Sequence, residues 1–262
     1  MTVFAPALGA LWEQLKGYGI DPEPLFREEG IEPDMMFDPG ARIPLEHYQR
    51  LDVKAAKLSG DPYFGLKGAE YARPAQLGAL GFAWLASSSL RTGFQRLSRY
   101  ARVIQEKLTI ELDEDDEFFY VRMDAHMPLL NKRIRENGQL AAVTKFCRMI
   151  AGDDFNPTKI MMKQPEPEDP GYYYELFRCA IEFNCEATTF VIRLEDADRR
   201  LTGSLTRDLA HPLDREKHEG EDRQETGADD PEDRDDHAHT EAGPHVGVRH
   251  ARQDRGQHGP KE

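Results

Sequence analysis

Residues 107–124 read KLTIELDEDDEFFYVRMD, and the periodicity of the chain changes inside them. Leu108, Ile110 and Leu112 alternate with polar residues, an acidic run comes next, and Phe119, Val121 and Met123 alternate on the way back. Alternation puts successive side chains on opposite faces, so this stretch predicts a β-hairpin with one buried face. The residues before it are spaced for helices, and those after it mix the two patterns. The class expected is α+β: a helical N-terminal half, then a half mixing β-hairpins and helices, then a disordered tail.

Upstream, Leu8, Leu11, Leu15 and Tyr18 recur at helical spacing and are closed by Gly19. In DPEPLFREEG, Asp21 can cap, Pro22 suits the first helical position and Gly30 ends the turn. After Pro44, the spacing puts Leu45, Tyr48, Leu51, Ala55 and Leu58 on one helical face, and Asp61-Pro62 repeats the Asp-Pro entry. LGALGFAWLA suits a buried helix whose Gly78 and Gly81 permit close packing. Ser88 is the expected cap of a helix with the stripe Leu90, Phe94, Leu97, Ala101 and Ile104.

Downstream, a helix is expected from about Pro128 to Ala151 with Leu140, Val143, Cys147 and Ile150 as its stripe. TKIMMKQ reads as a strand, DPGYYYELFRC as a short helix and IEFNCEATTFVIRLE as a second hairpin. The predicted order of this half is ββ-α-β-α-ββ.

Residues 1–201 hold every Phe, Trp, Tyr, Ile, Met and Cys of the 262, and residues 202–262 hold none. So little apolar surface cannot offset the entropy of ordering, which predicts disorder there. The two parts each carry a net charge of -7, 25 Lys+Arg against 32 Asp+Glu and 9 against 16. Neither has the basic excess of a module that grips phosphates, so the body is not expected to bind DNA by itself. Three cysteines without a C-x-x-C spacing read as reduced thiols. The first residues lack a basic n-region and no run reaches the length of a membrane span, so a soluble, cytoplasmic protein is expected.

The body carries no G-x-S-x-G, P-loop, H-E-x-x-H or G-x-G-x-x-G, and no catalytic residue or cofactor is assigned. Its two histidines, His47 and His126, read as surface or core residues. The acidic run 113–117 would put Phe118 where a calcium loop needs Gly, and reads as a solvated hairpin tip. Arg91, Arg96, Arg99 and Arg102 give the helix after Ser88 a basic side, either a solvated face or an anion-facing wall of a ligand pocket. Glu136 and Arg148 nearly share a face of the long helix, twelve residues apart, and could bracket a polar cavity. Arg96, Arg99, Arg102, Glu136 and Arg148 are therefore the ligand-binding candidates. Five of nine histidines fall in residues 235–258, but nothing fixes their geometry and no metal site is assigned.

Taken in order, GIDPEPLFREEGI (19–31), ARIPLEHYQRL (41–51), SGDPYFGLKGAEYARPAQLGALGFAWLASSSLRTGFQRLSRY (59–100) and YYYELFRCAIEFNCEATTFVI (172–192) resemble one family. It is the N-terminal effector domain, of the arabinose-binding type, of AraC-type bacterial transcriptional regulators. The 60–90 block carries most of the likeness. The run from Phe177 to Phe183 resembles the family's Phe-x-Cys-Pro-Val-x-Phe, with Ala180 in place of the proline. The likeness covers roughly residues 5–204. It implies an effector-binding domain over 1–204 that senses a small molecule, supports a homodimer, and works through a helix-turn-helix DNA-binding domain. The family label does not fix the ligand.

Residues 205–262 occupy the place where that DNA-binding domain is expected, with a composition suited to out-of-frame translation of GC-rich DNA. The leading expectation is a regulator truncated before its DNA reader. A second is a stand-alone metabolite-binding or dimerisation module that antagonises intact regulators. A third, an enzyme or a metal-buffering tail using His237, His239, His245 and His250, has the least behind it.

Overall fold

The computed structural model describes residues 1–124 and 132–201. The tail 202–262 with its histidines, His126, and the helix start expected at Pro128 lie outside the described residues. Among the described residues no helix is long and apolar enough to cross a membrane.

The chain starts as a short strand, β1 (Thr2–Phe4), paired antiparallel with β2 (Arg42–Pro44). Between them stand α1 (Gly9–Gly17) and α2 (Pro22–Glu28). The cap at Asp21 is as expected: its Oδ1 accepts the Glu23 N–H at 3.1 Å, and Gly30 ends the turn at φ 70°. Next comes α3 (Leu45–Ser59), closed by Gly60 in the left-handed region. Leu45, Leu51 and Ala55 are buried as the spacing predicts, while Leu58 is exposed, because the last turn of α3 runs beyond its cover. These elements share an apolar cluster around Leu8, Leu15, Phe26, Ile43 and Leu51.

α4 (Phe64–Tyr71) and α5 (Ala79–Leu85) lead into α6 (Leu90–Ile104). At Gly81 a Cβ would stand 1.6 Å from the Pro74 carbonyl oxygen, so a side chain is sterically forbidden there. The cap of α6 is Ser89 rather than Ser88: the Ser89 hydroxyl accepts the Thr92 N–H at 3.1 Å. Ser88 instead offers its carbonyl to the Leu201 N–H at 2.8 Å.

The main sheet has the order β3-β4-β7-β5-β6. β3 (Thr109–Glu114) and β4 (Phe118–Asp124) form the expected hairpin, with Ile110 opposite Met123 and Leu112 opposite Val121. Its acidic tip is pinned rather than merely solvated. Asp115 accepts the Glu117 and Phe118 N–H groups, and Asp113, Glu114 and Glu117 pair with Arg122, Arg91 and Arg193.

The second expected hairpin is not one. After α7 (Lys132–Ala151), β5 (Lys159–Met161) and α8 (Gly171–Phe177), strand β6 (Ala180–Glu182) pairs parallel with β5 at the sheet edge. β7 (Thr188–Arg193) lies on the far side of β5, between it and β4. Residues 188–192 of β7 are all buried, and a strand buried on both faces belongs in a sheet's interior, not in an edge hairpin. A last helix, α9 (Leu194–Asp198), is held to α6 by Arg91, whose guanidinium reaches both Asp198 carboxylate oxygens. The sheet and α4–α8 share the larger core, which includes Trp84, Phe94, Val121, Leu140 and Phe190.

Candidate functional site

A cavity of about 250 Å³ lies between the two apolar clusters, walled by α1, α4, α6, α7 and the start of the hairpin. It arises where the sequence has placed small residues. α4 and α7 run side by side in the same direction, with Gly65 against Ile134 and the Lys145 Nζ 2.8 Å from the Glu70 carbonyl. At Gly65 the backbones touch: a Cβ would stand 2.4 Å from the Ile134 carbonyl oxygen. Beyond that contact Gly68 and Gly138 sit close to Gln14 and the Gly65 carbonyl, Ala72 and Ala142 are too short to fill the space, and Leu97, Ala101 and Ile104 of α6 close it from the opposite side. The wall is largely hydrocarbon.

One end is polar. Arg135 of α7 donates from its Nη1 to Asp52 Oδ2 of α3 at 2.8 Å and from its Nη2 to Gln105 Oε1 at 3.1 Å. Its guanidinium lies over the Tyr48 ring, 4.1 Å from the centroid. The side chains of Arg135 and Asp52 are only 10% and 9% exposed. Burial pushes the Asp52 carboxyl above the usual aspartate range, and the attraction of Arg135 only partly offsets it. Burial also works against the Arg135 charge, but Tyr48 and Asp52 more than compensate and hold it more basic than a free arginine. Burial pushes the Tyr48 hydroxyl up to about 12. Nearby, Gln14 donates to the Phe64 carbonyl at 2.7 Å.

The opposite end is a rim. Arg73 is exposed, and among the described residues no carboxylate lies within ion-pair distance of it. Gln76 lines the same end, its Oε1 accepting the Arg73 backbone N–H at 2.8 Å. Burial, with Arg73 close by, makes Lys145 less basic than usual.

The five side chains singled out from the sequence stand elsewhere. Arg96 donates to the Ser87 hydroxyl at 2.9 Å and to the Ala83 carbonyl, tying α6 to α5. Arg96 and Arg99 share a shallow outer groove with Tyr100 and Leu112, and Arg102 is exposed on the same helix. Glu136 pairs with Lys132 at 3.5 Å, and burial raises its carboxyl pKa. Arg148 donates to the Phe155 and Leu176 carbonyls at 3.0 and 2.9 Å and to Asn156 Oδ1 at 2.9 Å, which spends its fork tying the segment after α7 to the end of α8. None of the five lines the cavity.

Sequence reasoning missed Asp52, Arg135, Gln105, Gln14 and Arg73. The available signal was polarity at apolar positions: Asp52 sits between Tyr48 and Ala55 on the α3 stripe, and Gln14 between Leu11 and Leu15. As for the thiols, Cys147 is buried and its pKa is pushed well up by that burial, and Cys179 is pushed up to about 12 by the same cause. Neither is an activated nucleophile.

Comparison with known proteins gives a consistent picture. A family model described as the arabinose-binding domain of AraC transcription regulator, N-term, matches residues 19–201. The ornithine utilization regulator of Pseudomonas aeruginosa is 26% identical over 175 residues, 66% of this chain and 52% of that protein. The crystal structure of the transcriptional regulator CdpR from Pseudomonas aeruginosa superposes with a TM-score of 0.53 at 17% identity, over 74% of this chain and 58% of that one. That likeness shows the fold. The chain spans about half the length of the curated relative it matches.

Proposed function

The chain belongs to the family of N-terminal arabinose-binding domains of AraC transcription regulators, and from that premise we propose that it senses a small effector in the cavity between α1, α4, α6 and α7. One observation carries the reading: an apolar chamber of about 250 Å³ with a buried, ion-paired Arg135–Asp52 set into its wall. A packed core would fill such a space, since interiors approach crystal density and leave few voids larger than a water. A chamber with few fixed polar groups is the usual form of a small-molecule site.

The effector would act by binding one arrangement of the walls more tightly than another. In a whole regulator that preference would pass to a helix-turn-helix domain, and the domain would pair with a second copy in the cytoplasm. The relatives are named as regulators, one of them a transcriptional regulator, which supports a sensor rather than an enzyme. The name of the ornithine relative supports a small metabolite as the kind of effector.

Thermal-shift screening of the full chain against a metabolite panel tests the reading. At least one compound should raise Tm in the wild type and not in Ala142→Leu, which fills the chamber. Arg99→Ala and Arg102→Ala test the outer face of α6 as an alternative ligand wall: loss of the shift there, with Ala142→Leu unaffected, would move the site. Light scattering checks the dimer. The composition of residues 202–262 supports out-of-frame translation, which the gene's other two frames beyond the Ser204 codon would reveal as helix-turn-helix coding potential.

A further inference from the structure

We propose that the ligand of this cavity is a small monocarboxylate with an apolar body, about ten heavy atoms in all, its carboxylate held at Arg73 on the rim and its apolar part lying along α7. The proposal rests on the cavity being the sensory site and adds the chemistry of what fills it.

Charge balance is the first argument. The ionisable charges on the lining are Arg73, Arg135 and Asp52. Asp52 already neutralises Arg135 at 2.8 Å inside the wall. What remains is one positive charge, at the rim. Including the rim's neighbours leaves the sign unchanged: Lys145 adds a cation, and Glu70, which accepts from the Tyr172 hydroxyl at 3.3 Å, adds an anion. A ligand with one negative charge makes the chamber neutral, and guanidinium suits a carboxylate.

Shape is the second. Along α7 the lining runs from Ile134 to Phe146, twelve residues or about 18 Å at the helical rise. The charged groups stand at the two ends of that span, and Gly138, Ala142 and Val143 form the floor between them, with Gln139 and Gln14 as uncharged polar neighbours. A cavity of 150 Å³ holds benzene, so 250 Å³ takes about ten heavy atoms. A head group at Arg73 stays half in water and avoids the desolvation that a fully buried carboxylate would suffer. The Arg135–Asp52 pair closes the far end, where a second ligand charge would compete with an existing bond.

Octanoate, with ten heavy atoms, is the probe, titrated calorimetrically into the full chain beside octan-1-ol, octylamine and octanedioate. Octanoate should bind about tenfold more tightly than octan-1-ol, the value of one charge-assisted contact, and octylamine and octanedioate should not compete. Arg73→Gln should remove that tenfold preference and leave octan-1-ol binding unchanged. Ala142→Leu, or Val143→Phe should the first not fold, should abolish both. Equal binding of octanoate and octan-1-ol, or octanoate binding indifferent to Arg73→Gln, overturns the proposal. If a compound of another class binds and Ala142→Leu blocks it, the ligand class is wrong while the sensory cavity stands. If both fillers leave every bound compound unaffected, the cavity itself is not the site and the proposal falls with it.

Discussion

Glu29, at the end of α2, and Asp52, in the middle of α3, are carboxylates equally shut away from water, at 5% and 6% exposure. Their surroundings treat them in opposite ways. Glu29 has a cation on each oxygen, Arg50 on Oε2 at 2.7 Å and Lys54 on Oε1. Burial raises its pKa, but those two hydrogen-bonded cations outweigh it and leave the carboxyl below the usual glutamate range. Asp52 has one cation, and burial prevails. Both partners of Glu29 come from α3 and hold it to α2, whereas the partner of Asp52 comes from α7, across the cavity wall. A buried charge with two local cations is a fastening. One with a single distant cation, beside an unfilled space, joins two elements that nothing local holds together.

Arg135→Ala should break the comparison hardest. It leaves Asp52 buried without a countercharge, and a loss of about 3 to 5 kcal/mol is expected in urea unfolding. Glu29→Gln should cost less, about 1 to 2 kcal/mol, because Arg50 and Lys54 are more than a third exposed and rehydrate when released.

Acid titration should separate the two residues by sign. The depressed pKa of Glu29 contributes stability that is in place above the ordinary glutamate value and is lost as pH falls through its folded value. The raised pKa of Asp52 contributes stability that is present below the ordinary aspartate value and is lost as pH rises through its folded value. Unfolding of wild type, Glu29→Gln and Asp52→Asn at steps between about pH 6 and pH 3 checks this. The deficit of Glu29→Gln should shrink toward acid, and the wild type should gain on Asp52→Asn in the same direction. The smallest effect belongs to Arg73→Gln. That side chain is exposed and unpaired among the described residues, so stability should stay within about 0.5 kcal/mol of wild type.

The helical half was legible because its punctuation is local. Asp21, Gly30 and the α6 stripe need only a few neighbours to act, and they stand where the spacing predicts. The first hairpin was legible for the same reason. The β6–β7 segment was not, since a hairpin and a split pair around β5 share one alternation pattern, and only the continuous burial of β7 distinguishes them. The cavity was less legible still. Arg135 meets Asp52 across 83 residues, so neither has a local reason to be noticed. Arg148 and Arg96 stood out as arginines on regular helices, yet their donors go to carbonyls at the ends of neighbouring helices and in a loop, to an asparagine and to a serine, a use of arginine that no spacing reveals. Close packing was read from sequence at Gly78 and Gly81, and Gly81 bears it out, but the small residues of α4 and α7 that border the cavity carried no such signal.

The bond from the Leu201 N–H to the Ser88 carbonyl fixes the point at which the described domain hands on the chain. With Arg91 gripping Asp198, it fastens the segment after β7 to the first turn of α6. The opposite part of α6, at Leu97, Ala101 and Ile104, is cavity wall. One helix about 22 Å long therefore carries the cavity wall toward one end and the hold on residue 201 at the other. In mechanical terms it is a rocker arm: a tilt of a few degrees at Ile104 would become a displacement on the order of an ångström at Ser88, whose carbonyl holds residue 201, and the sheet edge would follow, since Ser98 of α6 donates to the Ile110 carbonyl of β3.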